Sequence, residues 1–394
     1  MIVGYGVVTS VGADANSTFE ALIAGRTGIG PIRRFDASTF PVRFGAEVVS
    51  PLDGPDLYDA LTDAVITEAL RGVDLSGIPP ERIGVFMGCE AVRPDIHFVA
   101  STLLAHAPMP DPDPFAIARY HPARQANRVA QRVGARGPVA TLSIACTSSA
   151  QAVGDAMMAI RRGEVDVAIA GGVDVLVNAF MVLGFSRLGA LSQRNDAPER
   201  ASRPFDLGRD GFVLGDGAGA MVLASEAVVA RLGKAPVGRV TGYASTCNAW
   251  RITDTPPDGR GTRVAMQLAL ADAGRSPSDI AYLNAHGTST PQNDAGEAAA
   301  IRAALGEAVE RVPVSSTKSM TGHTVAACGV IEAIIALQAI THRVAPPTIN
   351  LETPDPECAL FHVANVAAPI GAGVGMTNAA GFGGSNTALV VELP

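Results

Sequence analysis

Short apolar runs alternate with segments of helical periodicity along the whole chain. Four runs are predicted to be buried strands, because proline is absent inside them and glycine-rich turns lie at their ends. The runs are Ile83–Met87, Val165–Ala170, Ala218–Ala224 and Thr387–Leu393, and the glycines are Gly171, Gly172, Gly211, Gly215 and Gly217. Strands that alternate with helices over the full length predict an α/β fold.

The chain also repeats itself weakly. Three pairs of segments have similar sequences or the same order of helix, turn and strand. The pairs are Val3–Thr9 with Val240–Thr246, Ala69–Met87 with Ala269–Asn284, and Thr141–Ile160 with Val314–Ile335. Repetition at this scale favours two similar lobes around a shared core over chance similarity among Ala- and Gly-rich segments. We therefore predict an N-terminal half over residues 1–235 and a C-terminal half over residues 236–394.

The composition suits a large buried core, since 47% of the 394 residues are apolar and 17% are charged. The formal net charge is −8 and no basic stripe is present. Nucleic-acid binding is therefore disfavoured, because contacts to phosphate supply most of that affinity.

The five cysteines are scattered and none is spaced CxxC. This pattern disfavours a disulfide framework and a structural metal, and it is typical of a reducing, cytoplasmic compartment. The N-terminus shows no basic segment followed by an apolar one, and Glu332 interrupts the apolar segment Val325–Ile340. We therefore expect neither a signal peptide nor a membrane-spanning helix.

Cys146 lies at a predicted strand-to-helix turn, ahead of the helical pattern Ala150–Ile160. The free N–H groups and the dipole of a helix N-terminus stabilise a thiolate, and the same N–H groups can bind an oxyanion. A lone cysteine in an apolar segment is more often buried and inert, and the other four cysteines are interpreted in that way. The position of Cys146 makes it the candidate nucleophile.

His286 and His323 occupy comparable turns in the second half. His286 follows the strand-like run Ile280–Leu283, and His323 precedes a helical pattern. Either histidine alone would be interpreted as structural, but two such turns together with a helix-start cysteine indicate a shared site. Neutral imidazoles at that site can donate N–H bonds to a developing enolate.

Three further residues stand out by their surroundings. Lys318 lies among Ser, Thr and Gly ahead of His323. It is interpreted either as a buried residue that orients its neighbours or as an ordinary solvated lysine. Glu332 interrupts an apolar helix and therefore needs a cation or a polar network beside it. Phe382 stands between glycines, so its ring can gate a pocket while a neighbouring backbone N–H faces an oxyanion.

Taken in order, these segments resemble the β-ketoacyl-acyl-carrier-protein synthases, closest to the type II elongating enzymes of bacterial fatty acid synthesis. The resemblance covers almost the whole chain. It rests on Val7–Gly12 (VVTSVG), Ala145–Ser149 (ACTSS), Ser202–Asp206 (SRPFD), Arg209–Gly219 (RDGFVLGDGAG), Asn284–Asp294 (NAHGTSTPQND), Ser315–His323 (SSTKSMTGH), Pro346–Leu351 (PPTINL) and Gly381–Asn386 (GFGGSN).

The resemblance implies a thiolase-like fold with five layers, αβαβα, built from two duplicated halves. The first half would carry the nucleophilic cysteine and the second both catalytic histidines. It also implies an oxyanion hole made by the backbone N–H groups of Cys146 and Phe382. The matching residues are the catalytic Cys146, His286, His323 and Lys318, the gating Phe382, and the supporting Glu332 and Asp294.

The implied reaction is a decarboxylative Claisen condensation in fatty acid or type II polyketide or polyene synthesis. The cysteine takes an acyl group from an acyl-carrier protein, malonyl-carrier protein loses CO2, and the resulting enolate attacks the acyl-cysteine. No metal or redox cofactor is implied, since the loss of CO2 drives the step. The implied partners are the acyl- and malonyl-loaded carrier, with the enzyme as a homodimer or a ketosynthase heterodimer.

Two features depart from the family. Ala380 occupies a position that is usually aromatic, so the mouth of the acyl pocket is expected to be wider or differently gated. Residues 51–70 contain no Lys or Arg where the family often has a basic helix for the acidic carrier, and Pro108–Pro114 is also acidic. We therefore hypothesise a specialised carrier. Four arginines on a helix-like stretch are candidates to replace the basic helix: Arg119, Arg124, Arg128 and Arg132. The alternative is that they form an ordinary solvated helix face.

Two other functions are open. A thiolase that uses coenzyme A would need a second catalytic cysteine near the C-terminus, and Cys358 lies in an unrelated context. A non-elongating or chain-length-determining partner subunit would typically lack the nucleophile, whereas Cys146 and both histidines are present here.

Overall fold

A computed structural model of the chain describes residues 1–48, 56–90 and 121–394. Strands and helices alternate through these ranges. The strands are β1 (Ile2–Thr9), β2 (Gly30–Pro31), β3 (Phe44–Gly45), β4 (Ile83–Gly88), β5 (Val139–Leu142), β6 (Val167–Asp174), β7 (Gly217–Ala224), β8 (Arg239–Cys247), β9 (Ile280–Asn284), β10 (Val314–Ser315), β11 (Val344–Ala345), β12 (Ala368–Pro369), β13 (Val374–Ala380) and β14 (Ser385–Glu392). The helices are α1 (Ala15–Ile23), α2 (Leu57–Ala69), α3 (Arg124–Val133), α4 (Ser148–Arg161), α5 (Ala179–Arg187), α6 (Glu226–Val229), α7 (Arg260–Ala273), α8 (Pro291–Leu305), α9 (Lys318–Thr321) and α10 (Cys328–His342).

Two five-stranded sheets repeat one topology. The first has the order β1-β7-β6-β4-β5 and the second the order β8-β14-β13-β9-β10. In both, the first three strands in this order pair antiparallel and the last three pair parallel. The duplicated architecture that the weak internal repeat predicted is therefore confirmed.

The helices complete five layers. Helices α4 and α10 lie between the sheets and contact strands of both. Helices α2 and α3 cover the outer face of the first sheet, while α7 covers that of the second, with α8 packed against it. This is the predicted αβαβα arrangement, and it places the beginnings of α4 and α10 next to each other at the centre.

The central helix α10 is apolar on all sides because both sheets cover it. Among the described residues, Val325–His342 is the one stretch with the length and hydropathy of a membrane span. Within the protein, 89% of this stretch is buried. Its apolar character is accounted for by its place in the core.

Two glycines expected at a strand end instead lie inside β6. A Cβ atom on Gly171 would come within 2.6 Å of the Gly219 carbonyl oxygen on β7. A Cβ atom on Gly172 would come within 2.6 Å of the Ser149 side chain at the start of α4. These glycines therefore permit the close approach of strand and central helix that brings α4 to the site.

Candidate active site

The three reactive side chains predicted from the sequence meet in one buried place. Cys146 lies between β5 and α4, His286 follows β9, and His323 lies between α9 and α10. The Cys146 Sγ atom is 3.0 Å from His323 Nε2. The imidazole rings of His286 and His323 stand nearly perpendicular, with centroids 5.2 Å apart. The three side chains are therefore close enough to act on one bound thioester group.

The turn that carries Cys146 is held in a strained conformation. Ala145 has φ +52°, in the left-handed region that non-glycine residues rarely adopt. Its backbone N–H donates to Glu90 Oε1 at 3.1 Å, and its carbonyl accepts from Ser148 Oγ at 2.6 Å. The backbone N–H of Ile144 donates to the same Ser148 hydroxyl at 2.9 Å. These bonds fix the turn from which the sulfur reaches His323.

The sulfur of Cys146 rests as a thiol. Burial raises the pKa of Cys146 to about 12, although Lys318 and the backbone N–H of Phe382 lower it in part. The sequence led us to expect a thiolate at the helix N-terminus, and desolvation outweighs that effect here. Attack by the sulfur therefore requires a proton acceptor, and His323 Nε2 is in hydrogen-bond contact with it.

Both histidines are neutral at pH 7. Burial lowers the pKa of His286 well below 6.5, and Lys318 and His323 lower it further. Burial and then Lys318 have the same effect on the pKa of His323. A neutral imidazole has one N–H to donate and one nitrogen to accept a proton, so the pair can bind an oxyanion and serve as a base.

A buried glutamate on α8 orients the His286 turn. The carboxylate of Glu297 accepts the backbone N–H of His286 at 2.6 Å and that of Gly287 at 2.7 Å. It also accepts from Asn378 Nδ2 on β13 at 2.6 Å, and burial raises the pKa of Glu297 to about 7. Glu297 was not among the residues that the sequence motifs pointed to. Its spacing of three residues from Asp294 places both on one face of α8, and that was the available signal.

Lys318 and Glu332 form a buried ion pair behind the histidines. Their side chains are 2% and 3% exposed. Burial opposes the charge of Lys318, but the Glu332 carboxylate raises the pKa of Lys318 above its ordinary value. The cation that Glu332 was expected to need is therefore Lys318. This fixed positive charge lowers the pKa of Cys146 and of both histidines.

Asp294 lies outside the cavity wall. Its carboxylate accepts the backbone N–H of Phe205 at 2.9 Å and that of Ser289 at 3.2 Å, and Arg209 Nε lies 3.6 Å away. Burial raises the pKa of Asp294. Asp294 therefore holds the turn after His286 and does not line the cavity.

A cavity of about 400 Å³ opens beside the sulfur. Its lining includes Cys146, both histidines, Glu90 and Phe382, and excludes Lys318, Glu332, Asp294 and Cys358. The Phe382 ring lies 6.4 Å from that of Phe185, and the two following glycines have φ +89° and +85°. Only glycine adopts these angles readily, so Gly383 and Gly384 permit the turn that places Phe382 in the cavity wall.

The donor atoms of Cys146, His286 and His323 lie within 4.8 Å of one another, as do those of His286, Cys328 and Glu332. Sets of sulfur, nitrogen and oxygen donors at this spacing can hold Zn²⁺. Lys318 contacts Glu332 directly and has the same sign of charge as a metal ion. Its repulsion opposes a cation at either set, which favours acid–base chemistry over metal binding.

The arginines expected to present a basic face to a partner are engaged within the protein. They hold α3 against α2. The ion pairs join Arg124 to Asp56 and Asp59, Arg128 to Asp59 and Asp63, and Arg132 to Asp63. The carboxylates of the chain itself therefore neutralise much of this face. Arg119, Pro108–Pro114 and residues 51–55 lie outside the described residues.

Comparison with known proteins gives a consistent result. The family model for the β-ketoacyl synthase N-terminal domain matches residues 1–228, and that for the C-terminal domain matches residues 237–352. The 3-oxoacyl-[acyl-carrier-protein] synthase 2 of Synechocystis sp. is 38% identical over 100% of this chain and 97% of its own length.

Two solved structures have similar folds over the full chain. A type II polyketide synthase acyl-carrier protein in complex with its ketosynthase, bound to the hexaketide, gives a TM-score of 0.92 at 30% identity, covering 100% of this chain and 98% of the other. The ishigamide ketosynthase/chain length factor gives 0.90 at 30% identity with the same coverage.

Proposed function

The chain belongs to the β-ketoacyl synthase family, and from this premise we propose that Cys146, His286 and His323 carry out its chemistry. The reaction is the decarboxylative condensation of an acyl-enzyme thioester with malonyl-acyl-carrier protein to give β-ketoacyl-carrier protein. The observation that carries the assignment is the 3.0 Å contact between the Cys146 sulfur and His323 Nε2, within reach of His286 in one cavity.

Acyl transfer begins with the thiol of Cys146. As the sulfur attacks the carbonyl carbon of the acyl-carrier thioester, its proton passes to His323 Nε2. The backbone N–H groups of Cys146 and Phe382 stabilise the oxyanion that forms. The tetrahedral intermediate collapses, the carrier leaves as a thiolate that takes up the proton, and the acyl group stays on Cys146.

Condensation then uses both imidazoles as hydrogen-bond donors. When the malonyl group loses CO2, the electron pair of the broken carbon–carbon bond moves onto the thioester as an enolate. Neutral His286 donates to the enolate oxygen, and His323 does so in the tautomer that carries its single proton on Nε2. The enolate carbon attacks the acyl carbonyl, and Cys146 leaves as a thiolate that is then reprotonated.

A second candidate is a partner subunit that sets chain length. It is favoured by one observation, the likeness to the ishigamide ketosynthase/chain length factor. The intact set of cysteine, two histidines and buried lysine favours the condensing enzyme, because a non-catalytic partner has no use for it. The thiolase alternative is disfavoured since Cys358 does not line the cavity.

Covalent loading distinguishes the enzyme from the partner subunit. We expect the protein to become acylated by octanoyl-carrier protein at Cys146, seen as a mass increase of the intact chain. Cys146→Ala should abolish the increase, while Cys358→Ala should leave it unchanged. A wild-type chain that takes up no acyl group would contradict the assignment as a condensing enzyme and favour the partner subunit.

For carrier docking we propose a basic surface around Trp250, at the mouth of the cavity, in place of the neutralised face of α3. Trp250 is 52% exposed and has the guanidinium groups of Arg251 and Arg260 at 5.9 and 5.4 Å from its ring. Arg251 also lies 3.3 Å from Asp254, so Arg260 is the main cation of this surface. The neighbouring Thr253 lines the cavity. An acidic carrier bound here would direct its thioester inward.

Charge reversal tests this surface. We expect Arg260→Glu to raise the KM for acyl-carrier protein several-fold and to leave the rate with a small thioester unchanged, with Arg251 kept because it pairs with Asp254 in the cavity wall. Arg136→Glu is the matched control. Arg136 is 75% exposed and lies just before β5, whereas the cavity lies beyond the other end of β4 and β5. An equal loss with the small thioester would contradict docking and indicate damage to the cavity.

Membership of the β-ketoacyl synthase family also supports a proposal about the oligomeric state and the cellular location of the protein. We propose a homodimer or a ketosynthase heterodimer in the cytoplasm, serving fatty acid or type II polyketide or polyene synthesis. The neighbours that are carrier and chain length factor complexes support the assembly, and five free cysteines support the location. We place the boundary between the halves at residues 235 and 236, between the last strand of the first sheet and the first strand of the second.

A further inference from the structure

The turn that follows His323 contains a strained residue. Val325, two residues after the histidine, has φ +37°, in the left-handed region, where a β-branched side chain is an outlier. It is buried, lines the cavity and belongs to the same apolar cluster as Cys146. A conformation of this kind persists only where the surrounding structure holds it, and it is concentrated at functional sites. The contacts that hold Val325 therefore bear on the position of His323.

The buried carboxyl group of Asp174 supplies such a contact. Asp174 is the last residue of β6 and is 0% exposed. Its Oδ2 atom accepts the backbone N–H of Ala326, the residue after Val325, at 2.7 Å. The carboxyl group also accepts the backbone N–H of Glu90 and the Tyr58 hydroxyl, the latter at 3.5 Å. Asp174 therefore ties the peptide group between Val325 and Ala326 to the first sheet.

The first half contains the same turn at the nucleophile. Ala145 has φ +52° and, like Val325, lies three residues before the start of a central helix. The next backbone N–H belongs to Cys146 in the first half and to Ala326 in the second. The proposed function assigns the Cys146 N–H to a substrate oxyanion, whereas the Ala326 N–H bonds to Asp174. Because a buried N–H needs an acceptor, the second turn depends on Asp174.

The ring of His323 has few other contacts that fix its orientation. The backbone of His323 is held by the segment beside it, since its N–H donates to the Val213 carbonyl at 2.7 Å and its carbonyl accepts the Gly215 N–H at 3.0 Å. No protein group in the described ranges bonds to the Nδ1 atom of the ring. A shift of the turn that follows would therefore move Nε2 relative to the Cys146 sulfur.

We propose that Asp174 is a positioning residue for the acyl-transfer and condensation chemistry. By holding the Ala326 N–H it keeps Val325 in the strained conformation, and this turn keeps the His323 imidazole against the sulfur of Cys146. Asp174 acts without touching the substrate, since it does not line the cavity. The proposal rests on the proposed function, because it needs His323 as the base.

The first measurement is the rate of Cys146 acylation by octanoyl-carrier protein, followed by mass spectrometry over a range of carrier concentrations. We expect Asp174→Ala to lower the maximal rate about tenfold, because a displaced base meets the sulfur less often. The half-saturating carrier concentration should not change, since Asp174 lies outside the cavity wall. Asp174→Asn keeps one oxygen for two backbone N–H groups, so its maximal rate should fall only about threefold.

A double-variant cycle identifies the route of the effect. Glycine adopts positive φ without strain, so Val325→Gly removes the need for a contact that enforces the turn. In that background, Asp174→Ala and Asp174→Asn should each change the maximal rate by less than about twofold. If Asp174→Ala does not fold, Asp174→Asn decides the comparison.

Glu47→Ala is the matched control. The Glu47 carboxylate is also buried and accepts two backbone N–H groups, from Arg33 and Arg34 at 3.0 Å each, but it does not line the cavity. Its urea midpoint should fall while its maximal acylation rate equals that of the wild type. Circular dichroism at the assay temperature establishes that each variant is folded.

Two outcomes would overturn the role of Asp174. One is an Asp174→Ala protein that is less stable but acylates at the wild-type maximal rate, which would leave Asp174 as a structural residue. The other is an equal loss of rate with and without Val325→Gly, which would show that the effect does not pass through the strained turn. A wild-type chain that is not acylated, although iodoacetamide alkylates its Cys146, would contradict the proposed function itself, and the inference with it.

Discussion

Cys146→Gln is expected to stop condensation, with a loss of about 10⁴-fold or more, while decarboxylation of malonyl-carrier protein continues. Condensation needs the sulfur as acyl acceptor, and no other thiol lines the cavity in the described part of the chain. Decarboxylation needs donors to the enolate, and His286 and His323 are untouched by the change. The glutamine carbonyl can also stand in for the acyl carbonyl beside the N–H groups of residues 146 and 382.

The measurement follows CO2 release and β-ketoacyl product from the same reaction. Cys247→Gln is the control, because Cys247 is exposed and does not line the cavity, and it should retain both activities. Loss of CO2 release together with condensation in Cys146→Gln would contradict the proposed division of labour between the sulfur and the imidazoles.

The convergence of Cys146, His286 and His323 could be predicted from the sequence because local signals mark all three positions. Cys146 follows an apolar strand and opens a helix, and His286 and His323 lie in polar turns with the same flanks in the second half. The repeat of strand, turn and helix predicted that these turns would meet. The fold class followed from the same pattern, together with the family motifs.

The groups that tune these residues could not be predicted, because they come from distant parts of the chain. In the sequence Glu297 is an ordinary acidic residue of an Ala-rich helix, and only the structure shows that Asn378 donates to its carboxylate. The pKa of Cys146 depends on burial between two lobes, which no local motif records. The arginines of α3 looked available for a partner, and only the packing of α2 against α3 shows their carboxylate neighbours.

The structural role of the paired glycines was equally ambiguous in the sequence. The sequence predicted a turn at Gly171 and Gly172, because paired glycines usually end a strand. In the structure they continue β6, since the central helix and the neighbouring strand leave no room for a Cβ atom. A close approach between distant elements and a local turn give the same sequence signal.

Lys318→Met is expected to lower the free energy of unfolding by about 3–5 kcal/mol. The change leaves Glu332 buried at 3% exposure without its cation. Urea unfolding followed by tryptophan fluorescence or circular dichroism would measure the loss. The double variant Lys318→Met/Glu332→Leu removes both charges and should recover most of the stability, because a buried pair and a packed apolar pair are often close in free energy.

The double variant also tests how the cation acts on the histidines. After burial, Lys318 lowers the pKa of His286 and of His323, so the wild type keeps neutral imidazoles well below pH 6.5. Activity is lost as pH falls through the histidine pKa values, and removing the cation raises those values. We therefore expect the acidic limb of the kcat/KM profile for condensation to move to higher pH in Lys318→Met/Glu332→Leu. A stable double variant with an unshifted limb would show that burial alone keeps the imidazoles neutral and that Lys318 serves only to pair with Glu332.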